Sequence, residues 1–508
     1  MTDAGTSGLV FREPLIFERS RPGRQGIRMP APEVPAVSDD QAGPDIPAAW
    51  RRAAPPRLPE VSEVEVVRHF VRLSQWNVCV DSAMYPLGSC TMKYNPKVNE
   101  WAARLPGFAR LHPLTPAALA QGALELMWDL ERRLCAICGF SRMTLQPSAG
   151  AQGELCGMLL VRACHTDRGN PRKKVLVPDT AHGTNPASCS LAGYTTVPIA
   201  SGPDGLVDPA AVDKAMDADV AAIMITNPNT LGLFESHIAR VAEIVHSRGG
   251  LVYGDGANLN ALLGIARPGD LGIDVMQLNL HKTFSTPHGG GGPGSGPVGV
   301  VPTLEPYLPV PMVERSTDGT FRLVEDRPKS IGRMRSFFGN FGVMVRAYTY
   351  LLAHGPAELR RIAEIAILNA NYLLARLRRT FHVPQDRPCM HECVLSDRDL
   401  KKETGVTTMD VAKGLLDRGF HPPTVYFPLV VQGALMIEPT ETESLETLDD
   451  FVEAVEALVA QARTNPDDLH HAPTRTRIGR ADETRAARHP VLRWGGRGAG
   501  RETTDEHR

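Results

Sequence analysis

No apolar run in this 508-residue chain is long enough to cross a bilayer, which argues against a helical membrane span. Strong charge of either sign is also lacking: 55 Lys and Arg stand against 57 Asp and Glu. That balance offers no global field for nucleic acid or an acidic membrane, and basic stretches occur only at the two ends. The nine cysteines follow no regular framework, so a disulfide-stapled secreted fold is not expected and a reducing compartment is. A signal-peptide core is missing from the N-terminus, and the early Asp3, Glu13 and Glu18 count against a transit peptide. These absences predict a soluble, cytoplasmic protein. The one CxxC pair, Cys135 and Cys138, ends a helical pattern with no second pair nearby. It reads as buried structural thiols rather than a redox or metal site, and no metal is expected.

A chain of this length can bury a large core, and two domains are more natural than one. Residues 1–60 are rich in Pro, Arg, Gly and Ala without any period, and read as an extended arm, either disordered or wrapped on a partner. Residues 61–330 alternate short apolar runs with helical patterns. Thr115 and Pro116 resemble an N-cap followed by a first-turn proline, and the face Leu119, Ala123, Leu126, Leu130, Leu134 and Ile137 runs from there to Gly139. The apolar runs at 174–177, 220–225, 251–253 and 275–280 are continuous rather than alternating, and helical patterns such as His237–Arg248 separate several of them. Such runs predict an α/β fold, a mostly parallel sheet flanked by helices on both faces. Residues 331–462 turn helical (347–352, 359–377) and then mixed, ending in an acidic helix over 443–462. They are expected to form a smaller C-terminal α+β domain, with 463–508 as a loose polar tail.

Ligands of open parallel sheets bind beyond the carboxyl ends of the strands, so the residues just after each apolar run are informative. The segments are Ser148–Gly153, Asp179–Thr184, Thr226–Thr230, Asp255–Asn258 and His281–Thr283, all polar. Lys282 lies just beyond one run, and Asp255 ends the run one strand–helix–strand unit earlier. A lysine and a carboxylate so placed suit pyridoxal 5'-phosphate, the lysine forming the Schiff base and the carboxylate pairing with the pyridinium nitrogen. A partly desolvated lysine near positive groups is also a better nucleophile. Taken locally, Asp255 reads equally as a helix N-cap. His182 would stack on the cofactor ring or assist proton transfer, or be structural. Thr226 and Asn227 would meet the ring hydroxyl, although Asn-Pro is also a turn signal. Ser148–Gly153, entering a helical pattern, would turn backbone N–H groups toward a phosphate, or be an ordinary turn into a helix. The run His288–Gly296 precedes a strand rather than a helix, so it is not a dinucleotide fingerprint. Without a Gly-x-Ser-x-Gly elbow it is not an esterase oxyanion segment either, and it reads as a flexible loop near the cofactor or a neighbouring subunit.

The segments Met84–Pro96, Gln146–Glu154, Asp179–Pro186, Met224–Gly232, Gly254–Asn258, Val425–Val430 and Ala434–Glu441, with His281–Lys282, resemble the glycine cleavage system P-protein. The likeness covers residues 8–462, and the length suits the second, cofactor-binding subunit of the two-subunit form. It implies a fold-type-I pyridoxal phosphate enzyme, glycine dehydrogenase (decarboxylating), in which Lys282 carries the cofactor. By matching position, His182 stacks on the ring, Asp255 meets its nitrogen, and Gly150 and Ala151 contact phosphate. The implied partners are glycine, a first (alpha) subunit and the lipoylated H-protein, in a heterotetramer of two alpha–beta pairs. The 89–95 loop is expected to border the substrate channel. An aminotransferase, with Arg333 or Arg335 as candidate carboxylate grips, a cysteine desulfurase and a non-catalytic paralogous subunit are the alternatives.

Overall fold

The computed structural model describes residues 13–31, 33–35, 47–54, 56–289 and 294–493. Of these, Cys79–Arg480 form one compact unit. Its centre is a seven-stranded sheet: β1 Arg142–Thr144, β2 Lys174–Pro178, β3 Thr195–Ile199, β4 Val220–Thr226, β5 Leu251–Gly256, β6 Val275–Leu278 and β7 Val298–Val300. The order is β1-β7-β6-β5-β4-β2-β3. Only β7 runs against the rest, pairing antiparallel with both β6 and β1. The strands β2, β4, β5 and β6 are mostly apolar, on successive as well as alternate residues, because both faces of the sheet are covered. The parallel register sets Thr226 beside Asp255 and Asp255 beside Gln277, so the strand ends lie level.

Two local expectations are corrected. The helix foreseen from Thr115 starts at Gln121 and ends at Cys138, with Gly139 left-handed (φ 79°) as its C-cap. Pro116 instead precedes a single 3-10 turn, Ala117–Leu119, that leaves Leu119 exposed. The run 275–280 also ends as strand at Leu278, and Leu280–Thr283 form one helical turn that carries Lys282.

The C-terminal part of this unit opens on the helix Phe341–Leu377, broken at Gly355 (φ 65°). It continues into an antiparallel sheet of β10 Cys393–Ser396, β11 Thr424–Val425 and β12 Ala434–Ile437, ordered β10-β12-β11; β8 Met312–Arg315 and β9 Phe321–Val324 form a separate hairpin. The acidic helix spans Leu445–Thr464, with the Ser444 hydroxyl accepting from the Thr447 N–H as its cap. Within the expected polar tail, Pro466–His470 are helical and Arg480 Nη1 lies 2.8 Å from Asp410 Oδ1.

Residues up to Val78 and from Ala481 form a second unit. It includes the helix Glu63–Ser74, which starts with a capping box between Ser62 and Glu65. In this unit Glu13 is a fully buried carboxylate meeting Arg19 (2.6 Å), His69 (2.7 Å) and Arg72 (3.0 Å). Residues 1–12, 32, 36–46 and 55 of the expected arm, and residues 494–508 of the tail, lie outside the described residues. Among the described residues no helix is long and apolar enough to cross a membrane.

Candidate active site

Lys282 is half-buried, and its Nζ donates to the Ser89 carbonyl at 2.7 Å. Two histidines flank it. His281 Nδ1 accepts from the Ser295 N–H (3.2 Å), His288 Nε2 lies 3.0 Å from the Cys90 carbonyl oxygen, and the two rings meet edge to face at 4.9 Å. Burial first, then its neighbour His288 and Lys282, push His281 down to about 3; burial and Lys282 push His288 down to about 4. Both are therefore neutral beside the lysine. Unfolded histidines take their protons near 6.5, so unfolding takes up protons as pH falls from there toward 4. Stability drops through that window and is insensitive to these groups above it. Replacing His288 by glutamine is expected to remove one proton's worth of that acid slope, read from urea unfolding midpoints at pH 4.5 and 7.

Asp255 is 3% exposed at the end of β5. Its Oδ1 accepts from the Ala257 N–H (3.0 Å) and from Gln277 Nε2, and its Oδ2 from Asn185 Nδ2 (3.1 Å). The same Asn185 amide donates to Glu154 Oε2 at 3.0 Å. Burial, and then Asp255 itself, raise Glu154 to about 7. Glu154 also accepts from the Thr184 hydroxyl (2.8 Å), whose oxygen lies 2.9 Å from His182 Nδ1. His182 is exposed, with its ring edge-on to Phe427 at 5.6 Å. Partial desolvation of the ring by the surrounding protein lowers its pKa, Asp255 opposes that shift and Lys282 adds to it, so His182 lies within electrostatic reach of both candidate residues.

Thr226 and Asn227 are buried at the end of β4, and among the described residues Thr226 Oγ1 and Asn227 Nδ2 have no hydrogen-bond partner. Gly150 opens the 18-residue helix Gly150–Asp167, buried where Ala151 is exposed. Gly296 lies so close to this turn that a side chain there would strike the Ala149 carbonyl, and its N–H donates to Pro147 at 2.9 Å. Gly290–Pro293 of the glycine run lie outside the described residues. Of the candidate arginines, Arg333 meets Glu325 (2.5 Å), whereas Arg335 meets Asn340 (2.8 Å), which donates in turn to the carbonyl of Ser148 in the candidate phosphate turn (3.2 Å). Both CxxC thiols are buried, which pushes Cys135 up to about 12 and Cys138 further.

These groups fit pyridoxal phosphate. The orphaned Thr226 hydroxyl and Asn227 amide suit a ring hydroxyl, Asp255 suits a ring nitrogen, and the helix start at Gly150 suits a phosphate. Sequence reasoning assigned no role to Glu154, His281, His288, His391, Glu392 or Glu438. The last three are buried together with side-chain ligand atoms within 4.8 Å of one another.

Several known proteins resemble this chain. Residues 362–474 match the family described as glycine dehydrogenase, C-terminal domain. The probable glycine dehydrogenase (decarboxylating) subunit 2 of Halalkalibacterium halodurans is 56% identical over 481 residues, 94% of this chain and 98% of that relative. The Listeria monocytogenes relative of the same description is 53% identical over 482 residues, 95% of this chain and 98% of its own length. A crystal structure of glycine decarboxylase (P-protein), inhibitor-bound, superposes with a TM-score of 0.71 at 22% identity, covering 83% of this chain and 95% of that one. The cysteine desulfurase CsdA of Escherichia coli superposes at 0.58 and 15% identity, covering 76% and 97%, so the fold alone does not separate these chemistries. Identity above half along nearly the whole of both chains does: this chain belongs to the glycine dehydrogenase (decarboxylating) subunit 2 family.

Proposed function

We propose that the chain is the pyridoxal phosphate-carrying subunit of a glycine decarboxylase, which releases CO2 from glycine and passes the aminomethyl group to the lipoyl arm of the H-protein. One observation carries the reading: Lys282, Asp255 and the orphaned Thr226 and Asn227 groups occupy the ends of neighbouring strands of one sheet. When bound, the cofactor supplies an electron sink for the pair left behind as the glycine carboxylate departs. Lys282 holds it and surrenders it to the glycine amine. Asp255, fixed by Ala257, Gln277 and Asn185, holds the proton on the ring nitrogen. Asn227 and Thr226 orient the ring hydroxyl, Gly150 and Ala151 receive the phosphate, and His182 lies over the ring. A first subunit, assembled with this one as two alpha–beta pairs in the cytoplasm, completes the enzyme. The nine unpaired thiols suit such a reducing compartment.

Exchange of labelled bicarbonate into the carboxyl group of glycine, with partner subunit and lipoylated H-protein present, tests the activity. Keto-acid-dependent amino transfer or sulfur release from cysteine, without exchange, would overturn the reading. Asp255→Asn is expected to keep the visible absorbance of bound cofactor while exchange falls roughly 10²–10³-fold, because a neutral amide does not hold the ring-nitrogen proton. Unchanged exchange in that variant would remove Asp255 from the site.

A further inference from the structure

The antiparallel register pairs Cys393 of β10 with Ile437 of β12, which sets the flanking residues Glu392 and Glu438 opposite one another. Both are 0% exposed, as is His391 beside them, and His391 Nε2 lies 3.9 Å from Glu438 Oε1. Two carboxylates facing each other in a dry interior are costly unless something holds them there. What they hold is the loop before the large domain. Leu87 bridges to Ile437, and Gly88 lies so close to Met436 that a side chain would collide with it. The next residues turn through left-handed conformations, Ser89 at φ 65° and Thr91 at φ 46°, which non-glycine residues adopt only under constraint. The constraint is visible: the Ser89 N–H donates to Glu392 Oε2 at 2.8 Å and the Thr91 N–H to Glu438 Oε2 at 2.9 Å. Between these two anchors, the Ser89 carbonyl receives the Lys282 Nζ–H.

We propose that Glu392 and Glu438 are positioning residues for Lys282, clamping the Ser89–Thr91 turn that receives its ammonium group and supplying the counter-charge to it. The proposal rests on the reading of Lys282 as the cofactor anchor. Each glutamate has one oxygen in the clamp, and among the described residues the second oxygens, Glu392 Oε1 and Glu438 Oε1, have no hydrogen-bond partner. The charged and titratable groups facing the pair are Lys282, His391, Cys90 and, beyond Glu438, Glu441 with its partner Lys93. His391, pushed down to about 3 by burial and by Lys282, is neutral and brings no cation. Burial raises both glutamates, and Glu438 further raises Glu392; Lys282 pulls each of them back down. Lys282, released from the cofactor by the incoming glycine amine and taking up the proton that amine gives away, would return to a turn held by two buried acids that answer its charge.

Infrared titration of the full chain without cofactor tests this. A buried protonated carboxyl band is expected to titrate above the ordinary carboxylate range, and to be lost or displaced in both Glu392→Gln and Glu438→Gln. In Lys282→Met the midpoint of that band is expected to move up by about one pH unit or more, the effect of removing a nearby opposite charge. A glutamine still accepts the clamp hydrogen bond, so both glutamine variants are expected to keep the wild-type thermal midpoint. Capture of added pyridoxal phosphate, followed by visible absorbance, is nevertheless expected to weaken roughly tenfold, the scale of one charged contact. A midpoint indifferent to Lys282→Met, or glutamine variants that bind cofactor as wild type does, would reduce the glutamates to fold-holding groups and overturn the proposal. Failure of the wild-type chain, with its partner subunit, to capture cofactor would instead refute the anchor reading; the carboxyl–lysine coupling remains measurable without cofactor.

Discussion

Lys282→Ala is expected to yield a folded chain that no longer holds pyridoxal phosphate covalently, with glycine–bicarbonate exchange down by roughly 10²–10⁴-fold or more. Little of the fold depends on this side chain, which is half-buried and makes one hydrogen bond, to the Ser89 carbonyl. On the proposed reading, the groups around it suit an amine that alternates between bound and free. His281 and His288 are kept neutral, so neither competes as a cation, while the Ser89 carbonyl accepts the ammonium proton. Alanine removes the nucleophile and leaves those groups facing nothing reactive. Visible absorbance after reconstitution, exchange rate and thermal midpoint check the three parts separately. Retained covalent absorbance with unaltered exchange would place the anchor on another lysine. A small amine such as methylamine is expected to restore part of the exchange, because it substitutes for the missing nucleophile without repairing its position.

Lys282 is legible in the sequence because its neighbours are buried. Strands covered on both faces must be apolar throughout, so β2, β4, β5 and β6 stand out as runs, and the polar residues at their ends stand out by contrast. Thr226, Asn227 and Asp255 are legible in the same way. The remaining strands are not: β1 and β7 are three residues each, too short for any period, and the edge strand β3 is partly exposed along most of its length. The turn signal at Thr115–Pro116 is real but belongs to a 3-10 turn ahead of the helix. Glu392 and Glu438 are invisible for a different reason. Each is merely an acid flanking an apolar strand, and their meeting depends on the β10–β12 register, a relation between distant segments that no local pattern encodes. Glu154 sits inside a recognised segment, yet its pairing with Asp255 passes through Asn185 from a third element.

Lys93→Met is expected to destabilise the chain by about 3–5 kcal/mol, the cost of removing one partner from a buried ion pair. The lysine side chain is 1% exposed and all three of its N–H directions are used: Glu441 Oε1 at 2.7 Å, Asn260 Oδ1 at 2.9 Å and the Tyr350 hydroxyl at 3.3 Å. It joins the 84–96 loop to the turn after β5, to the long helix and to the segment after β12. Burial works to lower its pKa, but the Glu441 carboxylate, with Tyr350, outweighs it and the net shift is upward. The contribution of this pair is therefore complete below the ordinary lysine value of 10.5 and is lost as pH rises through the higher folded value. Methionine fills the space and strands Glu441 in a dry site with only Asn260 and Tyr350. The double variant Lys93→Met with Glu441→Gln is expected to recover much of the loss, since no buried charge is then left unpaired. Urea unfolding of the two single variants and the double variant gives the coupling directly, and a single-variant loss below about 1 kcal/mol would show that the loop is held by other contacts. Because the same loop presents the Ser89 carbonyl to Lys282, a loop loosened at Lys93 is also expected to release cofactor at temperatures where the wild-type chain retains it.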